Sequence, residues 1–309
     1  MTETLFLTSD DVSGLATPAD YVDRVADGYR QRGDGAPADP RTALFADDPT
    51  GMLTSYTAIL PEDGYMGGYT YSAGFGAGDA WFMTPLFDAD SGEPLALLDG
   101  ASMNPFKTGA TGAVGVDMLA RENATRVGVI GSGAQARGQL RATATVRELT
   151  AVEVYSPTAA NREAFAEEMT ETLGVDVTAV ESSTAAVADA DIVITATSAS
   201  DPVFDGDQLA PGTHVTAMGQ YNPNKRELDT TTIERSTYVP DLRDRATQDA
   251  GSFLHAIDAG VIDESHIHAE LGDIVADNAV GRTSDEEITV FDSGGTAIET
   301  VAAAGMLYE

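Results

Sequence analysis

Apolar positions follow two different rhythms along the chain. Between residues 40 and 100 they come in short runs, at 52–60, 65–72, 81–87 and 94–98. Turn signals separate the runs, including Glu62-Asp63-Gly64 and Asp90-Ser91-Gly92. This pattern predicts strands joined by tight turns. Ahead of them Tyr21, Val22, Val25 and Tyr29 recur at helical spacing, with Ser9 or Asp10 as a cap for an earlier helix. Behind them Val114, Met118 and Leu119 predict a helix over 108–121.

From residue 126 the rhythm changes. Strand-length apolar runs at 126–130, 151–155, 176–180, 191–196, 214–218 and 237–240 alternate, at first, with helical stretches at 134–148, 159–173 and 183–188. A βαβαβ alternation of this kind implies a doubly wound parallel sheet with helices on both faces. Residues 244–285 read as helical. A short strand at 288–291, a glycine-rich turn and a helix from about Thr296 follow. The fold class expected is therefore α/β, a Rossmann-type sheet joined to a second α+β unit.

Composition narrows the setting. Of 309 residues, 50 are acidic and 17 basic, a formal net charge of −33. Only Lys107 and Lys225 are lysines, and Asp outnumbers Glu. Nucleic acid and anionic membranes are excluded as partners, because phosphate contacts need clustered basic side chains. Acid excess with scarce lysine fits a surface kept soluble in molar salt, where repulsion is screened within a few ångströms. A cytoplasmic protein of a salt-accumulating cell is expected. No cysteine is present, which excludes disulfides, cysteine-zinc sites and cysteine nucleophiles. The first ten residues carry no basic cluster or long apolar stretch, so no secretory leader is expected. No run reaches the ~18 apolar residues of a membrane span.

The segment with the clearest chemistry begins at Val127. A strand runs directly into Gly131-Ser132-Gly133-Ala134-Gln135-Ala136 and then an amphipathic helix. This is the G-x-G-x-x-A dinucleotide fingerprint. The first glycine makes the tight turn, the second admits the pyrophosphate, and the alanine allows close helix–strand packing. The helix N-terminus offers unpaired N–H groups to the phosphates. At the end of the second strand stands Ser156-Pro157-Thr158, where NAD readers usually carry an acid. Its neutrality, with Arg162 or Arg137 in reach, favours NADP over NAD. The fourth strand ends at Thr197-Ser198, where a doubly wound sheet lines its crevice.

Several motifs in order make the chain resemble the ornithine cyclodeaminase/mu-crystallin family. They are Lys107-Thr108-Gly109-Ala110, the glycine segment, and Ala190-Asp191-Ile192-Val193 with Ala196-Thr197. Met218-Gly219, Glu227-Leu228-Asp229, Glu270-Leu271-Gly272-Asp273-Ile274-Val275 and Gly281-Arg282 follow. The last is Phe291-Asp292-Ser293-Gly294-Gly295-Thr296-Ala297-Ile298-Glu299. The resemblance implies a substrate and dimerisation domain from residues 1–118 plus 294–309, with an NAD(P) domain at 119–293 inserted into it. It further implies a homodimer, a site in the cleft, and hydride transfer between nicotinamide and an amino-acid Cα through an imine. Met218, Gly219, Ser293 and Gly294 then face the cofactor.

Three positions depart from the family pattern. Tyr69 stands where a lysine is expected, Lys107 replaces an arginine of the carboxylate grip, and Tyr221 takes the place of an aspartate. Lys107 keeps the charge but loses the two-pronged geometry of arginine. Arg41 is a second anchor for a substrate carboxylate, and Tyr221 and Asn222 are candidates for hydrogen bonds to substrate. Tyr69 serves as acid and base if Lys107 or a cofactor ribose lowers its phenol from about 10; otherwise it fills the vacated space. His266-x-His268 is not a metal pair, because i and i+2 diverge on a helix and no acidic partner pattern accompanies them. Three functions stay open. They are an NAD(P)-dependent amino- or imino-acid oxidoreductase, a cyclodeaminase of ornithine or a similar diamino acid, and a dinucleotide-dependent binding protein.

Overall fold

The computed structural model describes residues 3–76 and 80–309. Met1 and Thr2, the start of the stretch read above for a leader, lie outside the described residues. In chain order the elements are β1 (Leu5–Leu7), α1 (Ser9–Val12), α2 (Pro18–Gly33), β2 (Thr42–Asp47), β3 (Thr50–Leu60), β4 (Tyr65–Gly74), β5 (Trp81–Asp88) and β6 (Pro94–Asp99). Then come α3 (Asn104–Leu119), β7 (Arg126–Ile130), α4 (Ala134–Val146), β8 (Ala151–Tyr155), α5 (Ala159–Leu173), β9 (Val177–Ala179), α6 (Ser183–Val187) and β10 (Ile192–Thr195). The rest is β11 (His214–Ala217), α7 (Thr230–Glu234), β12 (Ser236–Pro240), α8 (Arg243–Asp249), α9 (Gly251–Asp258), α10 (Leu271–Val275), β13 (Ile288–Asp292) and α11 (Ala297–Tyr308).

The first sheet runs β1-β6-β5-β4-β3-β2, with β1 parallel to β6 and the other pairs antiparallel. Its strands alternate. On β3, Thr54, Tyr56, Ala58 and Leu60 point inward, and on β4 Tyr69 and Tyr71 do the same. The inner face is closed by α11, whose residues Ala297–Gly305 are all buried, and by α2 through Tyr21, Val22, Val25 and Tyr29. The outer face carries Leu44, Leu53 and Trp81, all exposed and aligned through the registers Leu44↔Leu53, Leu53↔Ser72 and Ser72↔Trp81.

The second sheet is wholly parallel, in the order β12-β13-β11-β10-β7-β8-β9. Strands β7, β10 and β11 are buried almost throughout, and β7 and β10 are mostly apolar, as expected where helices cover both faces. The chain reverses its direction of winding between β7 and β10, and ligands of such sheets bind in the crevice beyond that point. Helix α3 links the two sheets by crossing α4 closely. A Cβ on Gly109 would stand 2.3 Å from the Gly138 carbonyl oxygen, so only glycine fits this crossing. Lys107, two residues earlier on α3, is thereby tied to the helix that begins at the glycine loop.

Several expectations are corrected. The 244–285 stretch is not one helical region. Ala250, at ψ 87°, separates α8 from α9; Gly260, at φ +70°, ends α9; and 276–287 contains no regular element. Helix α3 starts at Asn104, four residues before the predicted start, because Pro105 occupies its first turn and supplies a ready helical φ. Lys107 therefore lies inside the helix. The cap of α1 is Thr8, paired reciprocally with Asp11, and not Ser9 or Asp10. Strands β1 and β2 were not predicted. The first has three residues, too few to show a period, and on edge strand β2 the adjacent Leu44 and Phe45 are both exposed, so no alternation is visible.

Candidate functional site

The cofactor end is built from backbone. Strand β7 is followed by Gly131 at φ +119°, where a Cβ would meet the Ala196 carbonyl oxygen at 2.3 Å. Gly133 is the N-cap of α4, and no side chain caps this helix. Nothing lies within 4 Å of a Cβ built on Gly133. Gly133 and Ala134 are exposed, so the first N–H groups of α4 face open space. Gln135 is half-buried, and its Oε1 has no hydrogen-bond partner. An uncapped helix start with its loop open on one side fits a dinucleotide pyrophosphate.

Ser132 donates to the Ser156 hydroxyl at 2.9 Å, which joins the glycine loop to the end of β8. Pro157 and Thr158 are exposed there, and Thr158 caps α5 without a side-chain bond. Arg162 is buried under this loop. It donates to the Ser156 carbonyl oxygen at 3.1 Å and to Glu181 at 2.7 Å. Arg137 is engaged elsewhere, by Glu168 at 2.7 Å and the Ser132 carbonyl oxygen. Of the two arginines, Arg162 is the one held against the Ser156–Thr158 segment.

The loops after β10 and β11 bring in Thr197, Ser198, Met218 and Gly219. A carboxylate given no role above, Glu227, pins them together. It is buried and accepts from the Thr197 N–H at 2.7 Å, the Gly219 N–H at 2.8 Å and the Thr195 hydroxyl at 3.0 Å. Burial pushes its pKa up, and these donors oppose the shift. Its motif was visible in the sequence, but nothing in the spacing shows that it bridges two loops.

The substrate-side wall is assembled from side chains. Tyr56 and Tyr69 are cross-strand partners on β3 and β4, with ring centroids 5.6 Å apart. Tyr69 stacks on Phe82 at 5.3 Å, and Tyr71 packs against both. Lys107 lies over the Tyr69 ring at 4.6 Å, with its Nζ 3.7 Å from Glu299 Oε1. It is 1% exposed, and burial lowers its pKa against the pull of Glu299. Glu299 reaches this position through the capping box of α11, where it accepts from the Thr296 N–H at 2.6 Å and from the Thr296 hydroxyl.

Arg41 forms the other cation. Its Nη1 donates to the Tyr71 hydroxyl at 3.0 Å, and Nη2 donates to the carbonyl oxygens of Gly294 and Gly295. Its guanidinium lies 4.1 Å from the centre of the Tyr221 ring. From the opposite side Asp241 holds the same turn, accepting from the Ser293 hydroxyl at 2.8 Å and from the N–H groups of Gly294 and Gly295. Asp241, Asp249 and Asp292 surround the fully buried Arg245. Burial raises Asp249 to about 6, with Arg245 and Arg41 opposing the shift. None of these acids or Arg245 was singled out from the sequence, because they come together only in three dimensions.

The geometry brings Arg41, Tyr69, Lys107, Tyr221 and Gly294 to one wall. It bears on three of the candidate residues. Burial raises the Tyr69 phenol, and Tyr71, Glu299 and Asp99 add to the rise, so Lys107 does not lower it. Tyr69 is a buried ring with no partner on its hydroxyl. The Asn222 side chain accepts from the Asn224 N–H at 2.9 Å and closes its own turn. The Ser293 hydroxyl points at Asp241, so its contact toward a cofactor is left to the backbone. His266 and His268 each bond a carbonyl oxygen, of Ile233 and Val280. Among the described residues no helix is long and apolar enough to cross a membrane.

Known proteins share this fold. The model of the ornithine cyclodeaminase/mu-crystallin family matches residues 2–309. A Δ1-pyrroline-2-carboxylate reductase of Bacillus cereus is 38% identical over 225 residues, covering 72% of this chain and 69% of the relative. The structure of the Thermococcus litoralis Δ1-pyrroline-2-carboxylate reductase, in complex with NADH and L-proline, superposes with a TM-score of 0.94. It is 33% identical, over 99% of this chain and 96% of that one. An archaeal alanine dehydrogenase dimer with bound NAD has a TM-score of 0.92 and 31% identity, over 99% and 95%. The fold, with its doubly wound sheet, is thus that of known relatives, and the chain belongs to the ornithine cyclodeaminase/mu-crystallin family.

Proposed function

We propose that this chain is an NAD(P)H-dependent reductase of a small ketimine carboxylate, with Δ1-pyrroline-2-carboxylate, reduced to proline, as the substrate of choice. The observation that carries the reading is the pairing of two buried cations, Lys107 and Arg41, on an aromatic wall beside the turn at Ser293–Gly295. Lys107 and Arg41 hold the carboxylate. The Tyr56, Tyr69 and Phe82 rings exclude water from the C=N carbon, and the Tyr69 hydroxyl donates to the bound substrate. A bound NAD(P)H supplies the hydride. Residues Gly131–Gln135 carry its pyrophosphate, while Thr197, Ser198, Met218, Gly219 and the Gly294 backbone border the nicotinamide.

Cyclodeamination of ornithine is less well supported, because a second ammonium needs a free carboxylate. Glu299 is taken up by Thr296 and Lys107, and Asp249 lies between two guanidiniums. The cofactor preference proposed is NADPH, since Ser156, Pro157 and Thr158 bring no acid to the ribose and Arg162 lies beneath them. The proposed division is 1–118 with 294–309 against 119–293, with the first part forming a homodimer through the exposed Leu44, Leu53 and Trp81 face. Salt adaptation and a cytoplasmic setting rest on the charge of −33.

The test is turnover in molar KCl with NADPH or NADH. Consumption of NADPH matched by proline formed is expected. Ammonia release from ornithine without net cofactor change would assign the cyclodeaminase instead. Tight NADPH binding with no turnover of any imino acid would leave a binding protein.

A further inference from the structure

Four buried polar atoms without hydrogen bonds converge behind the substrate wall. They are Arg41 Nε, Arg245 Nη1 and both carboxylate oxygens of Asp249. Arg41 Nε stands 3.4 Å from Asp249 Oδ2, and Arg245 Nη1 stands 3.6 Å from Oδ1. The carboxylate is 5% exposed. It is therefore held by charge alone between two guanidiniums, without the hydrogen bonds that usually accompany a buried ion.

The two guanidiniums differ. Arg245 is fixed by Asp241 at 2.7 Å and by Asp292 at 3.0 Å. Among the described residues Arg41 has only Asp249 as an acidic partner, and its Nη1 meets a neutral phenol, Tyr71. The proposed carboxylate anchor is thus the same group that offsets the charge of Asp249. A substrate carboxylate at Arg41 brings a second negative charge next to Asp249, and two such charges at one cation favour protonation of the weaker acid.

We propose that Asp249 is a positioning residue that couples binding of the substrate carboxylate at Arg41 to the uptake of one proton. The inference rests on the reading of Arg41 as the carboxylate anchor. Uptake keeps the site's net charge constant. In the balance, C=N, NAD(P)H and one H⁺ give CH–NH and NAD(P)⁺, with the hydride on carbon and the proton on nitrogen.

The charged and titratable groups facing Asp249 are Arg245 on α8, Arg41 ahead of β2, Asp241 after β12, Asp292 at the end of β13 and Tyr71 on β4. The free carboxyl titrates at about 6. At pH 7 it is mostly ionised before binding and protonated after it. Carboxylate affinity then falls as pH rises above that value, by up to about tenfold per pH unit.

The experiment is calorimetry at pH 7 on the NADPH-loaded protein, with furan-2-carboxylate, which has no titratable nitrogen. Heats are compared in two buffers of different ionisation enthalpy. Wild type is expected to take up close to one proton, Asp249→Asn none, and Asp249→Glu to restore the uptake. NADPH binding by each variant reports that it is folded. Zero uptake by wild type, or equal uptake by wild type and Asp249→Asn, overturns the proposal. Failure of the reductase reading appears separately, as no turnover with an imino acid despite a normal proton count.

Discussion

The two sides of the cleft are made of different material. The cofactor side is backbone, namely the N–H groups of Gly131–Gln135 and the loop ends at Thr197 and Gly219. The substrate side is side chain, with Arg41, Tyr69, Lys107, Tyr221 and Glu299 coming from separate elements. Backbone groups are supplied by consecutive residues, so the first site survives wide change elsewhere in the sequence. The second depends on several elements meeting. Three of its positions, Tyr69, Lys107 and Tyr221, also read in the sequence as departures from the family pattern, while the glycine loop reads as keeping it. Chemistry at the substrate end is therefore where this chain is expected to be individual.

The sharpest way to break the contrast is at Gly131. Its φ of +119° excludes a side chain, and a Cβ would lie 2.3 Å from the Ala196 carbonyl oxygen. Gly131→Val should weaken NADPH binding at least about a thousandfold, since roughly 4 kcal/mol of strain and lost contacts is expected at such a position. Fluorescence titration reads the cofactor, and furan-2-carboxylate calorimetry reads the other side. If carboxylate binding fell equally, the two sides would not be separable.

The reverse experiment is Lys107→Met. It removes a buried charge at the cost of one side-chain atom and leaves Glu299 with its Thr296 donors. The expected loss is about a hundredfold in kcat/KM, in line with the ~2–5 kcal/mol lost when one partner of a buried charge pair is truncated. The dissociation constant of NADPH should stay within about twofold, because Lys107 touches no residue of the glycine loop. Normal turnover in this variant would remove Lys107 as an anchor and leave Arg41 alone.

This contrast also explains what could be read in advance. The parallel sheet was legible because its strands are buried on both faces and are separated by helices of ordinary length. The fingerprint was legible because its function is local. Lys107 and Arg41 could be named as cations, but their partners could not. Glu299 is identifiable from sequence only as half of a Thr296-x-x-Glu299 capping box, and nothing there tells that it also balances Lys107. Asp249 looks like an ordinary i,i+4 partner of Arg245, and its approach to Arg41 depends on how the two sheets dock. From the sequence, the phenol of Tyr69 acts as acid and base only if Lys107 or a cofactor ribose lowers it, and otherwise fills the space of the expected lysine. Complete burial outweighs that single charge.

Glu227 tests whether the cofactor side is backbone alone. Its two oxygens accept from N–H groups on two different loops and from one hydroxyl. In Glu227→Gln the amide nitrogen must face at least one of those donors. An unsatisfied buried donor costs about 1–3 kcal/mol, so NADH and NADPH should both bind about tenfold more weakly. An unchanged dissociation constant for both cofactors would mean that the loops hold their spacing without this carboxylate.

The smallest expected effect concerns which cofactor the backbone side prefers. Ser156 accepts from Ser132 at 2.9 Å, and its carbonyl oxygen accepts from Arg162 at 3.1 Å. Ser156→Asp keeps an acceptor for Ser132 and adds a negative charge next to the place a 2′-phosphate would occupy. Arg162 offsets part of that charge, and molar salt screens the rest to short range. The expected result is therefore a modest shift, about fivefold weaker binding of NADPH with NADH unchanged or slightly improved. The ratio of the two dissociation constants is the quantity to measure, because any general damage to the loop cancels in it. An unchanged ratio would place the 2′-hydroxyl away from Ser156 and would remove the basis for expecting NADPH.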